Sequence, residues 1–124
     1  MAPLRTEVRF TLPKGYVDAS GDEHRTGTMR LATGRDELAP LRDPRITGPD
    51  DPYLTILVLA RVITELGTVP AITAEVVEGL FASDLEFLQD LYGALNFGTD
   101  DELGAVLAGI APDLVAVEAD EDAG

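Results

Sequence analysis

No stretch limits how this chain can fold more than residues 53–66. Only Thr55, Arg61, Thr64 and Glu65 interrupt an otherwise apolar run there. Asp51-Pro52 precedes it, a capping residue followed by the one residue type that occupies the first helical position without losing a hydrogen bond. Gly67 follows as a stop. The run is therefore predicted to be a helix over 52–66. A helix apolar on nearly every side must be buried, in its own core or in an assembly. This one is too short to span a bilayer, and Gly67 and Pro70 follow at once. The chain has 124 residues, which suits one domain with one modest core and leaves little depth in which to hide such a helix.

Other segments compete for that core. Glu7–Leu12 alternates polar and apolar residues, the pattern of a half-buried strand, and Pro13-Lys14-Gly15 is expected to end it. Ala19-Ser20-Gly21-Asp22 carries turn chemistry. Thr26–Leu31 alternates again, with Thr26, Thr28 and Arg30 opposite Met29 and Leu31. Together these predict a β-hairpin over 7–32, which must pack on something to be stable. Thr33 is placed to cap a short helix that Pro40 cuts, and residues 41–51 read as a loop. Thr73 begins a helix predicted over 74–81. Ser83, with Glu86 three residues later, is a capping-box pattern before the stripe Leu85, Leu88, Leu91, Tyr92 and Leu95, which predicts a helix over 84–96. Thr99 and Glu102 repeat the pattern before a short helix over 100–110, which Gly104 and Gly109 weaken by about 1 kcal/mol each. The fold class that follows is α+β: an N-terminal β-hairpin packed on a small bundle of three to four helices. Residues 1–97 form the domain. Residues 98–124 form an acidic extension ending in a flexible tail.

Charge divides the chain more sharply than its total suggests. Formal net charge is −14, yet all nine basic residues lie between Arg5 and Arg61, where nine acids balance them. Residues 62–124 hold fourteen acids and no base. Such a field repels nucleic acid and anionic membrane and favours basic partners; the alternative is that the acids only keep an apolar protein in solution. Cysteine is absent, which excludes disulfides and thiolate metal sites and fits a cytoplasmic location. The N-terminus has no apolar stretch of signal-peptide length.

Chemistry-bearing patterns are scarce. His24 is the only histidine and is expected to be an exposed loop residue beside the hairpin turn. The acid pairs Asp36-Glu37 and Asp100-Asp101-Glu102 sit where helix N-termini already favour negative charge. Neither a calcium loop nor a glycine-rich phosphate loop is present. Arg30, Arg35 and Arg42 are expected to pair locally with Asp36, Glu37 and Asp43. These readings predict no catalytic, cofactor-binding or metal-ligating residue and no enzymatic activity. What is in surplus is apolar helix surface, which can serve as a groove or an oligomer face.

Three stretches, taken together, resemble one family. They are His24–Thr33 with Arg35-Asp36-Glu37; Tyr53-Leu54-Thr55 leading into Leu59-Ala60-Arg61-Val62-Ile63; and Gly79–Tyr92. The resemblance is to the small phage tail assembly protein family, whose genes lie among those for contractile phage tails and extracellular contractile injection systems. It covers roughly residues 7–97. It brings no catalytic residues, and it implies a role in building the tail or baseplate. Such proteins are similar in design to tail assembly chaperones, which hold the apolar, helical tape-measure protein soluble until the tube grows around it.

The expected function is thus a non-enzymatic assembly chaperone whose partner is the tape-measure or a baseplate protein. Contact is expected around Leu54, Leu57, Phe81, Phe87 and Leu91, with Thr33, Asp51, Ser83 and Thr99 as structural caps. A structural baseplate or cap adaptor retained in the mature particle is the alternative, and homo-oligomerisation is left open. No cofactor, nucleic acid or membrane is expected.

Overall fold

The structure, a computed structural model, describes residues 6–109. In chain order they form β1 (Glu7–Val17), β2 (Glu23–Arg30), α1 (Gly34–Leu38) with a 3-10 turn (Ala39–Arg42), α2 (Tyr53–Val62), β3 (Ile63–Leu66), α3 (Ala74–Glu78), α4 (Ala82–Phe97) and α5 (Asp100–Leu107). The fold is α+β, with the hairpin packed on helices, as the sequence predicts. The acidic tail from Ile110 onward, including the predicted end of the last helix, lies outside the described residues.

The hairpin is longer than its sequence pattern suggests. β1 alternates through Val8, Phe10 and Leu12, all buried, and then continues through Pro13 to Val17. Its pairing with β2 shifts register between Thr11 and Tyr16. Pro13 survives in the strand because it stands in this irregularity, where no ladder bond is asked of it. Gly15 has a φ of 103°, a left-handed conformation that favours glycine. Four of the backbone groups freed there find side-chain partners. The Leu12 and Pro13 carbonyls accept from the Arg25 guanidinium, and the Lys14 and Gly15 amides donate to Asp84 on α4.

The predicted helix over 52–66 is corrected. It ends at Val62, and Ile63–Leu66 is a third strand, antiparallel to β2, in a sheet of order β1-β2-β3. Ile63 and Thr64 are β-branched, a shape that a pleated surface accommodates better than a helix does. Ile63 pairs with Met29 and Glu65 with Thr28, so Thr64 is an extra residue, a bulge. The bulge is what turns both Ile63 and Leu66 into the core despite their odd spacing, while Thr64 and Glu65 stay exposed.

One core joins sheet and helices. Leu12, Met29, Leu59, Val62, Leu66, Val77, Leu88 and Leu91 are almost wholly inaccessible to solvent. Each such side chain contributes about 1.5–3 kcal/mol on leaving water. Leu103 and Val106 of α5 belong to the same cluster. The core thus runs past residue 97, where the sequence suggested the domain would end.

Candidate functional site

Where α2 runs beside α4 the surface opens into a trough of two adjoining hollows. One, of about 370 Å³, is lined by Pro52, Tyr53 and Ile56 with Leu85. The other, of about 360 Å³, is lined by Leu54, Val58 and Leu59 with Tyr92 and Glu37. Thr55 and Gln89 border both. Leu85, Gln89 and Tyr92 fall on one face of α4 by helical spacing, and residues 52–59 make the opposite wall. Past Tyr92 the apolar surface continues: Phe97, 75% exposed, meets the Tyr92 ring edge-on at 6.3 Å.

Polar contacts hold these walls in place. Tyr92 donates its hydroxyl proton to Glu37 Oε1 at 2.8 Å, joining α4 to α1 at one end of the trough. Burial, and then that hydrogen bond to a carboxylate, push the Tyr92 hydroxyl well above the usual phenol range. Asp36 is buried and accepts two hydrogen bonds from Arg30 at 2.7 and 2.9 Å and one from Arg61 Nε at 3.0 Å. The Arg30 pair, aided by the Thr33 amide and by Arg61, holds the Asp36 carboxyl far below the ordinary carboxylate range, against the opposing effect of burial. At the other end Arg45 lies over the Tyr53 ring, 5.1 Å from its centroid, and donates to both the Tyr53 hydroxyl and Asp43.

Of the expected contact residues, only Leu54 lines the trough. Leu91 is fully buried, serves the core and cannot meet a partner, whereas Leu57, on another side of α2 and 8% exposed, borders a separate hollow with Ala60, Arg61 and Ile72. Phe87 is half-buried and packs edge-on against Phe10 of the sheet. Phe81 is 50% exposed at the N-cap of α4, outside the trough lining. Val58, Leu85, Gln89 and Tyr92, which also line it, are not among the expected contact residues. The available signal was the i, i+4, i+7 set Leu85, Gln89 and Tyr92, which the broader leucine stripe conceals.

Three of the four predicted caps act as such. Thr33 donates its amide and hydroxyl to Asp36 Oδ2, Asp51 accepts from the Tyr53 amide at 2.9 Å, and Thr99 accepts from the Glu102 amide at 3.1 Å. Ser83 does not. The helix starts earlier, at Ala82 after an extended Phe81, and Asp84 in its first turn is drawn to the β1 amides. Of the expected ion pairs Arg30 with Asp36 forms, and Arg61 joins it; Arg45 takes Asp43, the Tyr92 hydroxyl takes Glu37, and Arg35 and Arg42 make no ion pair among the described residues.

His24 is corrected from an exposed loop residue to a buried one in β2. Its Nδ1 accepts from the Thr68 amide at 3.3 Å, which leaves Nε2–H to donate to Asp18 at 2.8 Å. It thereby ties the hairpin turn to the loop after β3. Among the described residues no group of three or more His, Cys, Asp or Glu could hold a metal ion, and no helix is long and apolar enough to cross a membrane. No family model matches the chain, and neither a curated protein nor a solved structure matches it.

Proposed function

We propose that this protein is a non-enzymatic assembly factor, a chaperone for a contractile phage-tail-like particle. Its α2–α4 trough holds an apolar helical segment of a partner such as the tape-measure or a baseplate protein. The observation that carries the reading is the trough itself. Two helices leave Leu54, Val58, Leu85 and Tyr92 partly accessible along a common cleft, the geometry in which an apolar helical ridge seats. The resemblance of residues 24–37 and 79–92 to tail assembly proteins supports the choice of partner. Those stretches also supply Asp36, Asp84 and Tyr92, whose contacts fix the trough walls.

The test is co-expression of the full chain with the tape-measure protein of its own gene cluster. The proposal expects the tape-measure protein to stay soluble and to co-purify, and expects Leu54→Asp with Val58→Asp to abolish both. A tape-measure protein equally insoluble with and without this chain overturns it. Recovery of this chain at fixed stoichiometry in finished particles replaces the chaperone with a baseplate or cap adaptor.

A further inference from the structure

We infer that the trough selects an amphipathic helix carrying lysine or arginine beside its apolar stripe, an inference that rests on the partner-holding role proposed above. The lined part of each wall spans residues 52–59 on α2 and 85–92 on α4. At 1.5 Å per residue that is about 10 Å, two turns of an occupant, and Phe97 lengthens it on α4 by over one turn. An occupant of that length leaves its flanks over the rim, so the rim charges decide which flanks are admitted.

The charges around the trough do not cancel. At the Glu37 end, Arg30 and Arg61 are bonded to Asp36 and Glu37 to Tyr92, while Arg35, exposed on α1, makes no ion pair among the described residues and leaves that end slightly positive. At the Tyr53 end, Arg45 is matched by Asp43, with Glu75 4.0 Å away and Glu78 accepting from the Tyr53 hydroxyl. Asp51 is engaged in capping α2. That leaves α4, where Glu86 and Asp90 follow Leu85 and Gln89 around the helix onto its exposed side. They make no ion pair among the described residues, and the chain beyond Arg61 contains no base. One rim is therefore anionic and uncompensated. Charge of this kind attracts cationic flanks and excludes acidic ones, acting on selectivity more than on raw affinity.

The experiment uses the full chain and three fluorescent synthetic helices of about 18 residues, long enough to overhang the trough at both ends. They share one leucine–alanine stripe and differ only in lysine, glutamine or glutamate flanks. Fluorescence anisotropy is expected to give at least about tenfold tighter binding for the lysine helix than for the glutamate helix, shrinking to less than about threefold with Glu86→Lys/Asp90→Lys or in high salt. Equal binding of all three, lost with Leu54→Asp, overturns the charge inference and leaves the trough reading intact. Binding of the lysine helix that survives Leu54→Asp/Val58→Asp overturns it too, since attraction would then act away from the trough. Failure of every helix to bind overturns the trough reading itself.

Discussion

The carboxylate of Asp84, in the first turn of α4, accepts the backbone N–H of Gly15 in β1 at 2.8 Å, across 69 residues of sequence. Its other oxygen takes the Lys14 amide at 2.9 Å. Asp84 is 0% exposed. The strand irregularity that frees those amides and the helix that satisfies them thus define one another. Because α4 is a wall of the trough, this contact also sets where that wall stands.

Removing the carboxylate leaves two backbone donors without a partner in a buried place. Asp84→Ala should lower unfolding stability by about 3 kcal/mol, from lost charge-assisted bonds and stranded amides. Asp84→Asn, which keeps one acceptor oxygen, should fall between. Urea denaturation midpoints test both. A loss for Asp84→Ala within experimental error of zero would show that the contact holds nothing together.

Asp36 should make stability depend on acid. Its native pKa is depressed by Arg30 first and by the Thr33 amide and Arg61 after, while the unfolded value is about 3.9. The unfolded state therefore binds more protons than the native one in the window below about pH 5, and stability falls as pH falls. The contribution is complete above that range and is lost progressively toward the depressed native pKa. The difference in urea midpoint between the wild type and Asp36→Asn should be constant from pH 7 to about pH 5 and shrink on further acidification. A difference that stays unchanged down to pH 2 would contradict the assignment.

Two glycines should respond to alanine in opposite directions. A Cβ on Gly27 would collide with the Glu65 carbonyl oxygen and lie 2.6 Å from the Phe10 ring, where the β2–β3 ladder and the core leave no room. Gly27→Ala should cost about 2–3 kcal/mol. Gly93, inside α4, has nothing within 4 Å of such an atom. Gly93→Ala should stabilise by up to about 1 kcal/mol through helix propensity. Thermal melts of the pair give the comparison, and equal destabilisation would show that crowding is not what sets them apart.

Leu57 and Leu54 are three residues apart in α2 and serve different ends. Leu57→Ala should cost about 3 kcal/mol as a core truncation. Leu54→Ala should cost about 1 kcal/mol or less and should weaken capture of an apolar helix. Chemical denaturation and helix binding, measured on both variants, separate the roles. A Leu54 variant with full binding would remove this residue from the contact surface.

What could be read from the sequence followed from local chemistry. Alternation marked the hairpin, and Asp51, Thr73 and Thr99 marked helix starts, because those signals need only neighbouring residues. The third strand escaped because Val62, Ile63 and Leu66 extend an apolar run whose periodicity does not tell a buried helix from a buried strand. Its identity depends on the β2 edge waiting alongside, a partner more than thirty residues away in sequence. His24 escaped for a similar reason, since its burial comes from Asp18 and the Thr68 amide closing over it. In the site, the stripe on α4 correctly predicted a helix, but it could not say that Leu91 turns inward while Tyr92 borders the cleft.

Val62 ends α2 and Ile63 begins β3 with no residue between them. The helix is in effect the handle of a blade slotted into the sheet. Pulling it along its axis by one helical step, about 1.5 Å, would strain the rung between Ile63 and Met29 and the bulge that keeps Leu66 inward. A load delivered to the trough is therefore carried by the ladder of the sheet and not by a loop. That junction ties the α2 wall of the cleft to the sheet.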